Sequence, residues 1–144
     1  MKYLVVVRHG HDRIGDELTQ YGRHAIENLA KHLKQYAQGE IFIVSSQKNR
    51  AIASAEIIKQ ELGGGIQPLG SLNPPEWKFV KYVEEYGKEY DTVVVVCHLD
   101  MARTLPSDFA KEVLEKTLPK IPLDYAEACV LNVEGGTQLH LKGN

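Results

Sequence analysis

Two valine-rich runs, at residues 4–7 and 92–97, constrain most strongly what this chain can fold into. Continuous apolar runs of this kind are typical of strands buried on both faces, as in a parallel sheet covered by helices. Both runs stop abruptly at polar residues, the first at Arg8-His9-Gly10 and the second at His98. Ligands of open α/β sheets bind beyond the carboxyl ends of the strands, so these polar residues are candidate site residues.

Strand-like and helix-like segments alternate along the rest of the chain. This alternation predicts a three-layer α/β/α fold with a mostly parallel sheet and an antiparallel C-terminal hairpin. The length and the lack of a linker-like segment predict a single domain over residues 1–144. The other predicted strands are 41–44, 66–69, 127–133 and 137–141, and a loop is predicted at 11–18. The predicted helices are 19–37, 48–62, one between Pro75 and Tyr90, and one after His98 that restarts at Ser107 beyond Pro106.

Composition excludes some classes of partner. The net charge of −2 gives no whole-molecule attraction to nucleic acid or to a membrane surface. No apolar stretch is long enough to span a bilayer, and the N-terminus lacks the pattern of a signal peptide. The two cysteines lie in apolar runs and do not suggest a disulfide framework. We therefore expect a cytoplasmic protein without nucleic-acid or membrane partners.

Polar groups follow three of the predicted strands. Arg8-His9 ends the first, the strand at 41–44 leads through two serines to Arg50 in the next helix, and His98 ends the valine-rich run at 92–97. If the strands are parallel, these groups meet at one edge of the sheet. Arginine presents a planar donor fork suited to phosphate, and the amides of a helix N-terminus attract anions as well. The residues therefore favour a phosphate site.

The chain resembles the histidine phosphatase superfamily, which also contains the cofactor-dependent phosphoglycerate mutases. The resemblance covers nearly the whole chain, and the short length and His98-Leu99 favour the small phosphohistidine-phosphatase-like branch. The matching segments are Arg8-His9-Gly10, Leu18-Thr19-Gln20-Tyr21-Gly22-Arg23, Ser45-Ser46-Gln47-Lys48-Asn49-Arg50-Ala51 and Cys97-His98.

This resemblance implies a metal-independent phosphatase without a cofactor. His9 would attack phosphorus and form a phosphohistidine intermediate that water hydrolyses. Arg8, Arg50, His98 and Gly10 would bind the phosphoryl group. No large insertion is available to form a lid, so we expect an open pocket that accepts a phosphorylated protein or a generic phosphoester.

The chain departs from the family pattern in three places. Gln47 stands where a proline is usual, and Gly15 stands where many members carry a phosphate-contacting asparagine. Residues 72–74 lack the glutamate that the mutase-like branch uses to protonate the leaving oxygen. The remaining candidates for this general acid are, in order of preference, Asp12, Asp16, Asp100 and Glu76.

Alternative functions remain open from the residues alone. A phosphate-binding module of the same fold that has lost turnover would explain the missing acid. A metal-dependent hydrolase would leave Arg8 and Arg50 unexplained, because cations beside a metal site are unfavourable. A thiolate nucleophile at Cys97 is less favoured than a buried thiol. The candidate metal ligands are His9, His11, Asp12, His98 and Asp100.

Overall fold

The computed structural model describes residues 1–69 and 76–144. None of the helices within these ranges is long and apolar enough to cross a membrane. The strands are β1 (Tyr3–Arg8), β2 (Asp12–Arg13), β3 (Glu17–Leu18), β4 (Ile41–Ser46), β5 (Gly65–Leu69), β6 (Thr92–Cys97), β7 (Glu127–Asn132) and β8 (Thr137–Lys142). The helices are α1 (Gln20–Leu33), α2 (Asn49–Leu62), α3 (Glu76–Gly87) and α4 (Leu99–Val113).

Six of these strands form the main sheet, in the order β5-β4-β6-β1-β7-β8. The first four in that order pair in parallel, while β7 runs antiparallel to both β1 and β8. The remaining two, β2 and β3, form a separate small hairpin. The predicted class, a mostly parallel sheet with an antiparallel C-terminal hairpin, is confirmed.

Both faces of the sheet are covered by helices. Successive side chains of a strand point to opposite faces, so Val5 and Val7 of β1 pack with α1 and α2. Leu4 and Val6 point the other way and pack with α3 and α4. All four side chains are fully buried. This burial on both faces explains why the sequence shows a continuous apolar run instead of an alternation.

The register of the central strands places the site. β6 lies between β4 and β1, and it pairs in parallel with both. Arg8 is the partner of Cys97, and Ser45 is the partner of Val96. The carboxyl ends of the three strands therefore lie at one level, and the residues that follow them meet at one edge of the sheet.

The predicted restart of the last helix at Ser107 was wrong. α4 begins at Leu99 and continues without a break through Pro106. Proline inside a helix loses one backbone hydrogen bond and crowds the preceding turn. Here Leu105, Pro106 and Phe109 are all buried, and we attribute the continuity of the helix to this packing, which outweighs the local preference.

Two other boundaries differ from the predictions. Residues 11–18 form the β2–β3 hairpin instead of an irregular loop, with Gly15 and Asp16 at positive φ in its turn. α1 ends at Leu33 instead of residue 37, because the chain tightens there: Gln35 and Tyr36 donate their backbone N–H groups to carbonyls three residues earlier, those of His32 and Leu33.

Small residues let α1 lie against the segment that follows β1. The hydroxyl of Thr19 accepts a hydrogen bond from the backbone N–H of Gly22 and so caps the helix. A Cβ at Gly22 would overlap the carbonyl oxygen of His11, and a Cβ at Gly10 would lie 2.9 Å from the carbonyl oxygen of Gly22. The close approach of helix and strand end therefore requires glycine at both positions.

We predict that Gly22→Ala destabilises the protein. Alanine normally stabilises a helix relative to glycine by about 0.5–1 kcal/mol, but here the overlap with His11 forces the backbones apart. The free energy of unfolding, measured with urea, should fall by about 1–3 kcal/mol. Gly65→Ala is the control, because no atom of the described residues lies within 4 Å of a Cβ added there. A Gly22→Ala protein as stable as the wild type would contradict this packing.

Candidate active site

His9 follows β1 and is 4% exposed. Its Nδ1 lies 2.8 Å from the carbonyl oxygen of Gly10, which can only accept a hydrogen bond, so Nδ1 carries the proton. Its Nε2 lies 3.2 Å from Nε of Arg50, which can only donate. The imidazole is therefore the Nδ1–H tautomer, and the lone pair of Nε2 is directed toward the guanidinium group.

The pKa of His9 is lowered from its ordinary value, chiefly because burial disfavours the charged ring. The hydrogen bond to Gly10 opposes this effect, while Arg50 and Arg8 lower the pKa further. Near neutral pH the imidazole is therefore uncharged, which is the state in which it acts as a nucleophile.

His98 caps the N-terminus of α4 and lies against His9, with 5.2 Å between the ring centroids. Its Nε2 is 2.6 Å from the hydroxyl oxygen of Ser46 at the end of β4. Burial is the main cause that lowers the pKa of His98 to about 4, and His9 and Arg50 add to the effect. The ring is therefore neutral at pH 7 and can offer an N–H donor without a charge.

Arg50 lies in the first turn of α2, where Asp16 holds it. One carboxylate oxygen of Asp16 lies 2.9 Å from Nη1 of Arg50, and the other accepts the backbone N–H of Asn49 at 2.7 Å. Burial alone would raise the pKa of Asp16, but the hydrogen bonds from Asn49 and Arg50 outweigh it and hold the pKa below its ordinary value. Asp16 is therefore ionised, and both of its carboxylate oxygens already accept hydrogen bonds from α2.

Ser54 links Arg50 to Gly10, the residue after His9. Its hydroxyl donates to the carbonyl of Arg50 at 2.8 Å and accepts the backbone N–H of Gly10 at 3.0 Å. Sequence reasoning missed this side chain. Its position one helical turn after Arg50 was the available signal, since residues four apart lie on the same face of a helix.

Arg8 is fixed by the segment between α4 and β7. Its Nη1 donates to the carbonyl of Leu123 at 3.2 Å and lies 3.7 Å from the carboxylate of Asp124. Its guanidinium carbon lies 4.1 Å from the ring centroid of Tyr125, within the range of a cation–π contact. The backbone N–H of Ala126 bonds to the carbonyls of Arg8 and His9 and so ties the segment to β1.

Tyr125 is the second site residue that the sequence did not reveal. Its ring centroid lies 5.6 Å from that of His9 and 5.3 Å from that of His11. It belongs to an irregular segment without a periodic pattern, and no motif marks it.

These groups surround an open pocket of ≈ 270 Å³. Two buried nitrogen atoms here, Nε of Arg8 and Nδ1 of His98, have no hydrogen-bond partner within the described residues. Unpartnered buried groups are uncommon in folded proteins, and they point to a function. The pocket is lined by Arg8, His9, Asp12, Arg50, His98, Leu99 and Tyr125.

The four predicted acids are placed differently. Asp12 lines the pocket, whereas Asp16 does not line it and instead binds Arg50 and the N-terminus of α2. Asp100 is exposed on the first turn of α4 and does not line the pocket. The side chain of Glu76 lies outside the described residues, and so do residues 72–74, where the mutase-like branch has its glutamate.

The described residues contain neither a set of metal ligands nor a cysteine that is ionised at neutral pH. No group of three or more His, Cys, Asp or Glu side chains in residues 1–69 and 76–144 could hold a metal ion. Burial raises the pKa of Cys97 to about 12, so its thiol stays protonated at neutral pH.

The sequence matches no family model and no curated protein. Solved structures nevertheless share its fold at low sequence identity. The protein histidine phosphatase SixA, solved with tungstate, is 20% identical, with a TM-score of 0.73 over 98% of this chain and 97% of that chain. YhfR of Bacillus stearothermophilus is 20% identical, with a TM-score of 0.66 over 95% and 94% of the two chains.

A third structure with this fold is phosphoserine phosphatase of Entamoeba histolytica in complex with 3-phosphoglyceric acid. It is 16% identical, with a TM-score of 0.64 over 97% of this chain and 95% of that chain. Together these likenesses confirm the expected fold, which the chain shares with these solved structures.

We predict that His98 makes the protein less stable in acid. Its pKa is about 4 in the folded protein and about 6.5 in the unfolded chain, so only the unfolded chain gains this proton as the pH first falls below 6.5. Stability should therefore decline between about pH 6.5 and pH 4. His98→Gln, measured by urea unfolding at several pH values, should show a shallower decline.

His32→Gln removes an imidazole from the exposed surface of α1 and serves as the control. It should keep the steeper decline of the wild type. Equal pH dependence in the His98→Gln variant and the wild type would contradict the assignment.

Proposed function

We propose that the protein is a metal-independent phosphatase with His9 as its nucleophile. The observation that carries this proposal is the Nε2 lone pair of a neutral, buried imidazole, directed at Arg50 inside the pocket. Arg8 and His98 line the same pocket and supply further donors for the oxygens of a phosphoryl group. The fold shared with proteins named as phosphatases supports the same class of reaction.

The first step places a phosphoryl group between His9 and the two arginines. Arg50, whose Nε donates to His9 in this structure, would donate to a phosphate oxygen of the bound substrate instead. The lone pair of Nε2 then attacks phosphorus in line with the leaving oxygen. The bond from phosphorus to the leaving atom, an oxygen in a phosphoester or a ring nitrogen in phosphohistidine, breaks as the bond from phosphorus to Nε2 forms. The carbonyl of Gly10 stabilises the positive charge that develops on the imidazole through Nδ1–H.

The second step is hydrolysis of the phosphohistidine. Water attacks phosphorus from the side vacated by the leaving group, and the electron pair of the phosphorus–nitrogen bond returns to Nε2. Arg8 and Arg50 neutralise the charge that spreads over the equatorial oxygens in both steps. Neutral His98 adds an N–H donor.

Asp12 is the proposed proton donor to the leaving oxygen. It lines the pocket, and within the described residues its carboxylate makes no hydrogen bond. Asp16 is less suited to this role, because its hydrogen bonds favour the ionised form.

The proposed substrate is a phosphorylated protein, in particular one carrying phosphohistidine, or a small phosphoester. The pocket opens at the surface, and at its rim Leu99 is 46% exposed. An open pocket of this kind admits a side chain presented by another protein. Phosphohistidine also has a good leaving group and depends least on a proton donor.

We predict that His9→Ala abolishes turnover, because it removes the imidazole whose Nε2 lone pair is directed at Arg50 in the pocket. Arg8→Ala and Arg50→Ala should each lower kcat by roughly two to three orders of magnitude. The measurement is hydrolysis of p-nitrophenyl phosphate and of a phosphohistidine protein, with and without a chelator. The wild type should accumulate an acid-labile phosphoenzyme that His9→Ala lacks.

The alternatives give different results in this experiment. A module that only binds phosphate would form no phosphoenzyme and release no product. A metal-dependent hydrolase would lose activity in the chelator. Turnover by His9→Ala at the rate of the wild type would refute the proposed nucleophile.

We predict that Asp12→Asn affects substrates unequally. Alkyl phosphates need a proton on the departing oxygen, so their kcat should fall by about 10²–10⁴-fold. Hydrolysis of p-nitrophenyl phosphate should change little, because nitrophenolate leaves without a proton. Asp100→Asn, a change of the same kind on the exposed surface of α4, should leave both rates unchanged. A uniform loss across both substrates would contradict the role of a proton donor.

A further inference from the structure

Asp16 makes three contacts with the start of α2. Its carboxylate accepts the backbone N–H groups of Asn49 at 2.7 Å and Arg50 at 3.3 Å, and it lies 2.9 Å from Nη1 of the Arg50 side chain. Two of these contacts satisfy backbone N–H groups in the first turn of the helix, where a negative charge is favourable. The third contact fixes one end of the Arg50 guanidinium group, and helix capping does not require such a contact.

The contact to Nη1 determines how the guanidinium plane is turned. Arginine presents two edges with paired donors, and the edge that carries Nε and Nη2 lies away from Nη1. With Nη1 bound to Asp16, Nε of Arg50 lies 3.2 Å from Nε2 of His9. Within the described residues Nη2 makes no hydrogen bond. The Nε–Nη2 edge, which can bind two oxygens of one phosphoryl group, therefore faces the nucleophile.

The hairpin that carries Asp16 is suited to hold it in place. Asp16 has φ +61°, in the left-handed region, where aspartate and asparagine are enriched among residues other than glycine. The short β2–β3 pairing closes the hairpin on either side of the turn. The side chains of Asp16 and Arg50 are only 26% and 27% exposed, so water screens their ion pair incompletely.

We propose that Asp16 is a positioning residue for Arg50. Its carboxylate holds Nη1 so that the Nε–Nη2 edge meets the phosphoryl group at His9. Asp16 itself touches neither the nucleophile nor the phosphoryl group, and it acts through Arg50 alone. This proposal rests on the phosphate site of the proposed function.

A double-mutant cycle tests this role. Asp16→Asn is made in the wild type and in Arg50→Ala, and kcat/KM for p-nitrophenyl phosphate, the Kd for inorganic phosphate and the melting temperature are measured. Asparagine keeps the preference for the left-handed region and one acceptor oxygen for the start of α2, and it replaces the second acceptor oxygen and the charge with an NH2 group. Glu17→Gln is the matched control, because it removes a charge from the next residue, which pairs with Arg13.

In the wild-type background, at a temperature well below the melting transition, we expect Asp16→Asn to lower kcat/KM by about 10- to 100-fold and to weaken phosphate binding. In the Arg50→Ala background the same substitution should change either quantity by less than about threefold, because the group that it positions is gone. Glu17→Gln should change neither quantity in either background.

Each other outcome has a definite meaning. Equal losses in both backgrounds would show that the charge of Asp16 acts on the phosphoryl group directly, and activity that falls in step with melting temperature would reduce Asp16 to a structural cap. Either result, like wild-type behaviour of Asp16→Asn, would overturn the proposal.

The wild type separates this proposal from the proposed function. If the wild type binds phosphate without turnover, the phosphatase proposal fails, and the mutant cycle measured on phosphate affinity still decides the role of Asp16. If it does not bind phosphate, both proposals fail.

Discussion

The parallel pairing of β6 with β1 on one side and β4 on the other is the constraint on which the rest of the structure depends. Each strand is fixed along its length by side chains buried on both faces, so a slip in register would move apolar groups out of two cores at once. The fixed register brings the three carboxyl ends to one level. Distant polar residues then meet at this edge without any further element to bring them together.

The burial that fixes the strands also sets the chemistry of the site. An imidazole withdrawn from water favours its neutral form, and both His9 and His98 are affected in this way. Arg50 reinforces the effect on both rings, and Arg8 adds to it at His9. A site with two guanidinium groups and two neutral imidazoles attracts a phosphoryl group while leaving one imidazole able to attack it. The neutral state of His9 follows from where the strand ends, without a dedicated base.

Much of this arrangement could be predicted from the sequence, for identifiable reasons. The valine-rich runs identify two central strands, because burial on both faces leaves no alternation. Arg8, His9 and His98 follow these runs directly, and Arg50 lies a few residues after the predicted strand at 41–44. Helix α4 could not be predicted correctly, because the local effect of Pro106 is overridden by packing that only the folded chain provides. Tyr125 and the contacts of Arg8 escaped prediction, because the path of residues 114–126 follows no periodic pattern.

The choice among the carboxylates shows where sequence spacing stops being informative. Asp12 and Asp16 are four residues apart in a segment whose sequence predicts only a loop, and in that conformation either could reach the phosphoryl group. The β2–β3 hairpin separates them, because the turn at positive φ directs Asp16 to α2 while Asp12 stays at the pocket. One carboxylate is then bound by donors that keep it ionised, and the other is left without such donors. The two acids differ in chemistry because a four-residue turn gives them different neighbours, and no property of aspartate itself distinguishes them.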